Sequence, residues 1–191
     1  MIDGLTIGIE IELFADLELF KLKLEEAKIP FIHKRILKKI PGGYDVLILK
    51  EDISLPYPEA FEINFPPNYN KQDIIKVLDI LNNMEVKMNH LCALHIHVGF
   101  PYDKQKLENL RRYYIQNQDD IINSATEKNL YANLNYKLSE TNLKQKPVNL
   151  NTYPSIICHG TVEHRIYKST INIQEVFWCI NQTINIIKHV L

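Results

Sequence analysis

The chain has 191 residues, 46% hydrophobic and 24% charged. At about 150 residues per domain that makes one full domain, residues 1–191, able to bury a core without disulfides or a structural metal. Lys plus Arg number 22 against 23 Asp plus Glu, a net charge of -1, so the chain carries no field suited to a phosphate backbone or an anionic bilayer, and nucleic-acid and membrane partners are not expected. Cys92, Cys158 and Cys179 are widely spaced and form no C-x-x-C pair, which excludes a disulfide framework or a zinc ribbon. With no signal-like start and no apolar run near 18 residues, a soluble, cytoplasmic protein is expected.

Residues 5–13 alternate strictly, with Leu5, Ile7, Ile9, Ile11 and Leu13 on one face and Thr6, Gly8, Glu10 and Glu12 on the other; this predicts a half-buried strand. A helix is expected over about 15–28, stopped by Pro30. The β-like runs 31–38 and 44–50 flank Pro41-Gly42-Gly43 and read as a hairpin, with Lys34, Arg35, Lys38 and Lys39 on its solvated side. A strand at 59–65 ends at Pro66-Pro67.

Ile74, Ile75, Leu78 and Leu81 recur at helical spacing, so residues 71–84 form a helix that Asn70 can cap. Residues 92–100 alternate again, with Leu94, Ile96 and Val98 opposite His95 and His97. A long helix follows from about 104 into the 120s on a stripe of Leu107, Leu110, Tyr114 and Ile121. Tyr113 and Tyr114 read as packing there. The polar stretch 139–155 reads as a loop, and a strand over 156–168 precedes a helix from 173 that carries Ile173, Val176, Phe177, Ile180, Ile184 and Ile187, with Trp178 as its anchor. Cys92 and Cys179 sit on apolar faces and read as core. Cys158 and His159 are adjacent on a strand and so point apart.

Four strands thus pair an apolar face with a chemical one: Glu10 and Glu12, Glu62 and Asn64, His95 and His97, Glu163 and Arg165. Each pair alone is ordinary strand surface. If the strands are neighbours, about 4.8 Å apart, the chemical faces concentrate four carboxylates, two imidazoles and a guanidinium. Crowded carboxylates call for cations, and Mg²⁺ or Mn²⁺ suits oxygen ligands while leaving positions for phosphates.

Gly8-Ile9-Glu10-Ile11-Glu12, Asp52-Ile53-Ser54 with Phe61-Glu62-Ile63, Cys92-Ala93-Leu94-His95-Ile96-His97-Val98-Gly99 and Thr161-Val162-Glu163-His164-Arg165 together resemble the ordered motifs of the amidoligase family, carboxylate-amine ligases related to glutamine synthetase and glutamate-cysteine ligase. The resemblance implies an α+β fold, a curved and mostly antiparallel sheet with helices packed on one face, like the glutamine synthetase catalytic domain. It implies Glu10, Glu12, Glu62, His95 and Glu163 as metal ligands and Glu62, His97 and Arg165 as catalytic residues, with His97, Arg165 and Lys128 facing the nucleotide. The chain departs from the family pattern at Ala93, where Gly is expected, at His164, where an aromatic is usual, and at Lys128 before Tyr131, where Arg precedes Tyr. Lys lacks the planar fork of Arg for binding phosphate.

Two functions follow as expectations. The first is an ATP- and Mg²⁺- or Mn²⁺-dependent ligase that activates a small-molecule or peptide carboxylate as an acyl phosphate and joins it to an amine. The alternative is a divalent-metal-dependent hydrolase, or a non-catalytic metal-binding relative, with Zn²⁺, Fe or Mn²⁺ on imidazole and carboxylate. The oligomeric state is open at this level.

Overall fold

The computed structural model describes residues 4–34, 45–51, 60–67, 69–89, 92–101, 105–106, 109–110, 112–113, 116–117, 120, 148–149 and 161–189. Seven strands form one sheet: β1 (Thr6–Phe14), β2 (Phe31–Lys34), β3 (Leu47–Lys50), β4 (Ala60–Phe65), β5 (Ala93–Gly99), β6 (Val148–Asn149) and β7 (Thr161–Lys168). Their spatial order is β2-β3-β4-β1-β5-β7-β6, antiparallel throughout except for β2 with β3. The four strands that carry the motif residues, β4, β1, β5 and β7, lie side by side in the middle.

One sheet face is the core. Ile9, Ile11 and Leu13 of β1, Phe61, Ile63 and Phe65 of β4, Leu94, Ile96 and Val98 of β5, and Val162 and Ile166 of β7 are buried there in one cluster. Helices α1 (Leu17–Glu26), α2 (Lys71–Asn82) and α3 (Ile173–Lys188) pack on that face. Phe20 of α1 stacks on Phe61 with ring centroids 5.8 Å apart; truncating such a buried ring to Ala costs about 3–5 kcal/mol. The α+β class, the mostly antiparallel sheet and the one-sided helix layer therefore agree with the sequence reading. Among the described residues no helix is long and apolar enough to cross a membrane.

Each helix starts where a polar side chain satisfies its first free N–H groups. Asp16 caps α1 by accepting from the Leu19 N–H, Asn70 caps α2 through Asp73, and Asn172 caps α3 through Gln174 and Glu175. The buried stripe of α2 is Ile74, Val77, Leu78 and Leu81, so Val77 takes the place expected for Ile75. In α3 the stripe is Val176, Cys179, Ile180, Thr183 and Ile187, and Trp178 meets Tyr167 edge-on at 6.4 Å. The described residues between 105 and 120 are helical, with Leu110 fully buried and Tyr113 against the core.

Two local expectations change. Residues 31–34 and 47–50 do not form a hairpin: β2 and β3 run parallel, with Phe31 opposite Leu47 and Lys34 opposite Lys50. Helix α1 ends at Glu26, short of Pro30, and the chain closes it with a left-handed turn at Lys28 (φ 57°). Where β3 begins, the Leu47 N–H donates to the Pro30 carbonyl at 3.2 Å. The polar stretch 139–155 is not wholly loop, since Val148 and Asn149 pair with His164 and Glu163 of β7. Cys92 is buried as expected, in a small cluster with Ala60 on which Phe14 and Met88 pack.

Strand β7 also carries a bulge. Leu94 pairs with Tyr167 but Ile96 pairs with His164, which leaves Arg165 and Ile166 opposite His95 alone. Two residues against one breaks the alternation, and Ile166 and Tyr167 accordingly both enter the core. The turn Pro41-Gly42-Gly43, Arg35, Lys38, Lys39, Leu107, Tyr114, Ile121, Cys158 and His159 lie outside the described residues.

Candidate metal-binding site

Opposite the helices, period-two geometry turns Glu10 and Glu12 of β1, Glu62 and Asn64 of β4, His95 and His97 of β5, and Glu163 and Arg165 of β7 to the other sheet face. Register then decides which of them meet. Glu10 stands opposite His95 across the β1–β5 ladder, and His97 stands opposite Glu163 across β5–β7. The His95 Nδ1 lies 3.1 Å from Glu10 Oε2 and 3.5 Å from Glu163 Oε1. One ligand atom from each of Glu10, His95 and Glu163 falls within 4.8 Å of the other two.

His97 approaches Glu10 from the next pair along, its Nε2 3.1 Å from Oε1, while its Nδ1 is 3.4 Å from the Thr161 hydroxyl. Gly8 is its cross-strand neighbour. A Cβ at Gly8 would sit 3.3 Å from that of His97, tighter than ordinary contact. Glycine there lets the imidazole lie close over β1.

Glu12 and Glu62 belong to the same face but have other partners. Glu12, 5% exposed, accepts the Ala93 N–H on Oε2 at 2.8 Å, and its Oε1 is 3.9 Å from His95 Nε2. Glu62, 3% exposed, takes the Asn64 amide at 2.6 Å and the Lys50 ammonium at 3.2 Å. Arg165 donates to Glu163 Oε1 at 2.9 Å with its side chain 44% exposed. The structure thus brings Glu10, His95 and Glu163 together, with His97 and Arg165 against them, and sets Glu12 and Glu62 beside the group. Lys128, Tyr131 and Asp52-Ile53-Ser54 lie outside the described residues.

Lys50 is the member that sequence reading missed. Its signal was thin: a Lys closing the apolar run Leu47-Ile48-Leu49, recognisable only once Lys50 is placed opposite Glu62. His164 occupies the core side of β7, fully buried, in the position where an aromatic was expected. Its burial, with the nearby His97 charge, drives its pKa down to about 3.

The electrostatics follow from crowding. Burial pushes the Glu10 carboxyl up, but His97, with His95, outweighs this and holds it well below the usual carboxylate range. Burial pulls the His97 imidazole down, yet Glu10, then Glu163 and Glu62, raise it to about 9. Glu62 is raised to about 7 by burial and by the Glu10 charge, against Lys50 and Asn64.

The donor set fits a divalent cation. Bonds of about 2.0–2.2 Å to one ion put neighbouring donor atoms roughly 2.9–3.5 Å apart, the range already spanned from His95 Nδ1 to Glu10 and Glu163. Two carboxylates and one neutral imidazole carry the charge that balances one divalent ion. The exposed guanidinium of Arg165 suits an anion bound next to it. No family model, curated protein or solved structure matches the chain.

Proposed function

We propose that this protein is a divalent-cation-dependent ligase that uses ATP to join a carboxylate to an amine, on a sheet of the glutamine synthetase kind. The observation that supports it most is the strand order β4-β1-β5-β7, which sets the four motif strands side by side with Glu10, His95 and Glu163 within 4.8 Å.

Mg²⁺ or Mn²⁺ on Glu10, His95 and Glu163 would offset charge that otherwise repels a nucleotide. ATP would supply the γ-phosphoryl group that activates the carboxylate. Arg165, which donates to Glu163, would grip phosphate oxygens with paired donors. Glu62, raised to about 7 by burial and then by the Glu10 charge, against Lys50 and Asn64, would be suited to taking a proton from the attacking amine.

A second reading, a metal-dependent hydrolase, draws on the buried imidazole: His95, 2% exposed, with two carboxylates is also a ligand set for Zn²⁺. One experiment separates them. Release of ADP and phosphate is measured across a panel of carboxylic acids and amines with Mg²⁺ or Mn²⁺. The ligase reading expects release that needs both substrates, whereas hydrolysis that proceeds with Zn²⁺ and without ATP would replace it.

A further inference from the structure

His95 is buried on both sides of its ring, and its two nitrogens have different surroundings. Nδ1 faces Glu10 at 3.1 Å and Glu163 at 3.5 Å. Nε2 is buried and has no hydrogen-bond partner among the described residues. Among the described residues the carboxylate that comes within 4 Å of it is Glu12, with Oε1 at 3.9 Å.

Glu12 is held at two points. Its Oε2 accepts the Ala93 N–H at 2.8 Å, and its own carbonyl accepts the Ser169 hydroxyl at 2.5 Å. Ala93 lies two residues before His95 on β5, so the strand that carries the imidazole also locks the carboxylate beside it. With Oε2 occupied, Oε1 is the oxygen turned toward the ring.

We propose that Glu12 is a positioning residue and not a metal ligand: its Oε1 accepts the Nε2 proton of His95 and so keeps Nδ1 as the lone pair that meets the cation. This rests on the metal reading given above. A neutral imidazole offers one N–H and one lone pair, so a cation on Nδ1 obliges Nε2 to carry the proton. A buried N–H needs an acceptor. Glu12 becomes one by closing about 0.7 Å, from 3.9 Å to the outer limit of an N–H···O bond. Carboxylates behind metal-bound histidines commonly do this work, fixing tautomer and ring orientation together.

The test uses Mn²⁺ binding, read from the free ion by electron paramagnetic resonance, and ¹H–¹⁵N spectra of the protein loaded with Zn²⁺ as a diamagnetic stand-in. Glu12→Gln keeps shape and an acceptor for the Ala93 N–H, but turns an NH₂ donor toward Nε2. That forces the proton onto Nδ1, where it blocks the cation. Mn²⁺ affinity is expected to fall about tenfold to a hundredfold with the melting temperature nearly kept. The wild-type spectrum needs no variant and is expected to show His95 protonated at Nε2. Protonation at Nδ1 in the loaded wild type, unchanged affinity in Glu12→Gln, or a metal–Glu12 bond in a crystal of the Mn²⁺-loaded protein would each overturn the role of Glu12 while leaving the metal site standing. Wild-type protein that binds neither ion overturns the metal reading and this inference together.

Discussion

Glu10 and His95 face each other across the β1–β5 ladder, and their side chains close to 3.1 Å between Oε2 and Nδ1. Glu163 reaches the same nitrogen from β7 on the other side. Three strands therefore contribute one donor each to the proposed cation site, and removing any one of them should remove most of its affinity.

Binding of Mn²⁺ at about a hundred times its Kd is expected to stabilise the fold by roughly 2.7 kcal/mol, a rise of several degrees in melting temperature for a chain of this size. Glu10→Gln and Glu163→Gln should each abolish most of that rise in calorimetric melts. A melt that Mn²⁺ and Mg-ATP leave unmoved but Zn²⁺ raises would favour the hydrolase reading.

On the proposed ligase reading, Arg165→Lys should slow ATP-dependent ligation on the order of a hundredfold, equivalent to about 3 kcal/mol of transition-state stabilisation. Arg165 is 44% exposed and pairs with Glu163, so Lys keeps the charge but loses the planar fork that the proposed phosphate contact needs. Stability should move by less than about 1 kcal/mol, the range of an exposed ion pair. Rates compared at matched melting temperature check this; equal rates would remove Arg165 from the mechanism.

Cys179 is buried in the α3 stripe, and burial, followed by the Glu175 charge, pushes its thiol up to about 12. The folded state then holds the proton more tightly than the unfolded chain, so stability is full below pH of about 9 and falls as pH climbs from there toward 12, by up to about 1.4 kcal/mol per unit. Urea midpoints taken between pH 8.5 and about 10.5 should drop more steeply for the wild type than for Cys179→Ala. Alkylation mapped by peptide mass spectrometry should reach Cys179 only after unfolding.

Lys28 sits at φ 57° just past α1, a conformation that costs a residue with a Cβ about 1 kcal/mol. Lys28→Gly should therefore raise the unfolding free energy by up to about that amount, seen as a higher urea midpoint at unchanged slope. A lower midpoint would mean that the lost chain entropy of glycine outweighs the relieved strain.

What the amino-acid sequence determined by itself is the sidedness of each element. Alternation in Ile9-Glu10-Ile11-Glu12 and Leu94-His95-Ile96-His97 follows from a backbone that turns successive side chains to opposite faces, so the apolar and chemical faces were legible without any knowledge of neighbours. Asn70 as the cap of α2 was legible for a similar reason, since a cap and the N–H groups it satisfies lie within three residues.

Pairing is a different matter, because it joins residues far apart in the chain and no local preference encodes it. Pro41-Gly42-Gly43 signals a reversal, yet β2 joins β3 in parallel, with Phe31 opposite Leu47 and Lys34 opposite Lys50. The bulge at Arg165 and Ile166 exists only against His95. The five expected metal ligands were equivalent by parity. The tertiary structure separated them, since register gave Glu62 to Lys50 and Asn64, gave Glu12 to the Ala93 N–H, and left Glu10, His95 and Glu163 to meet.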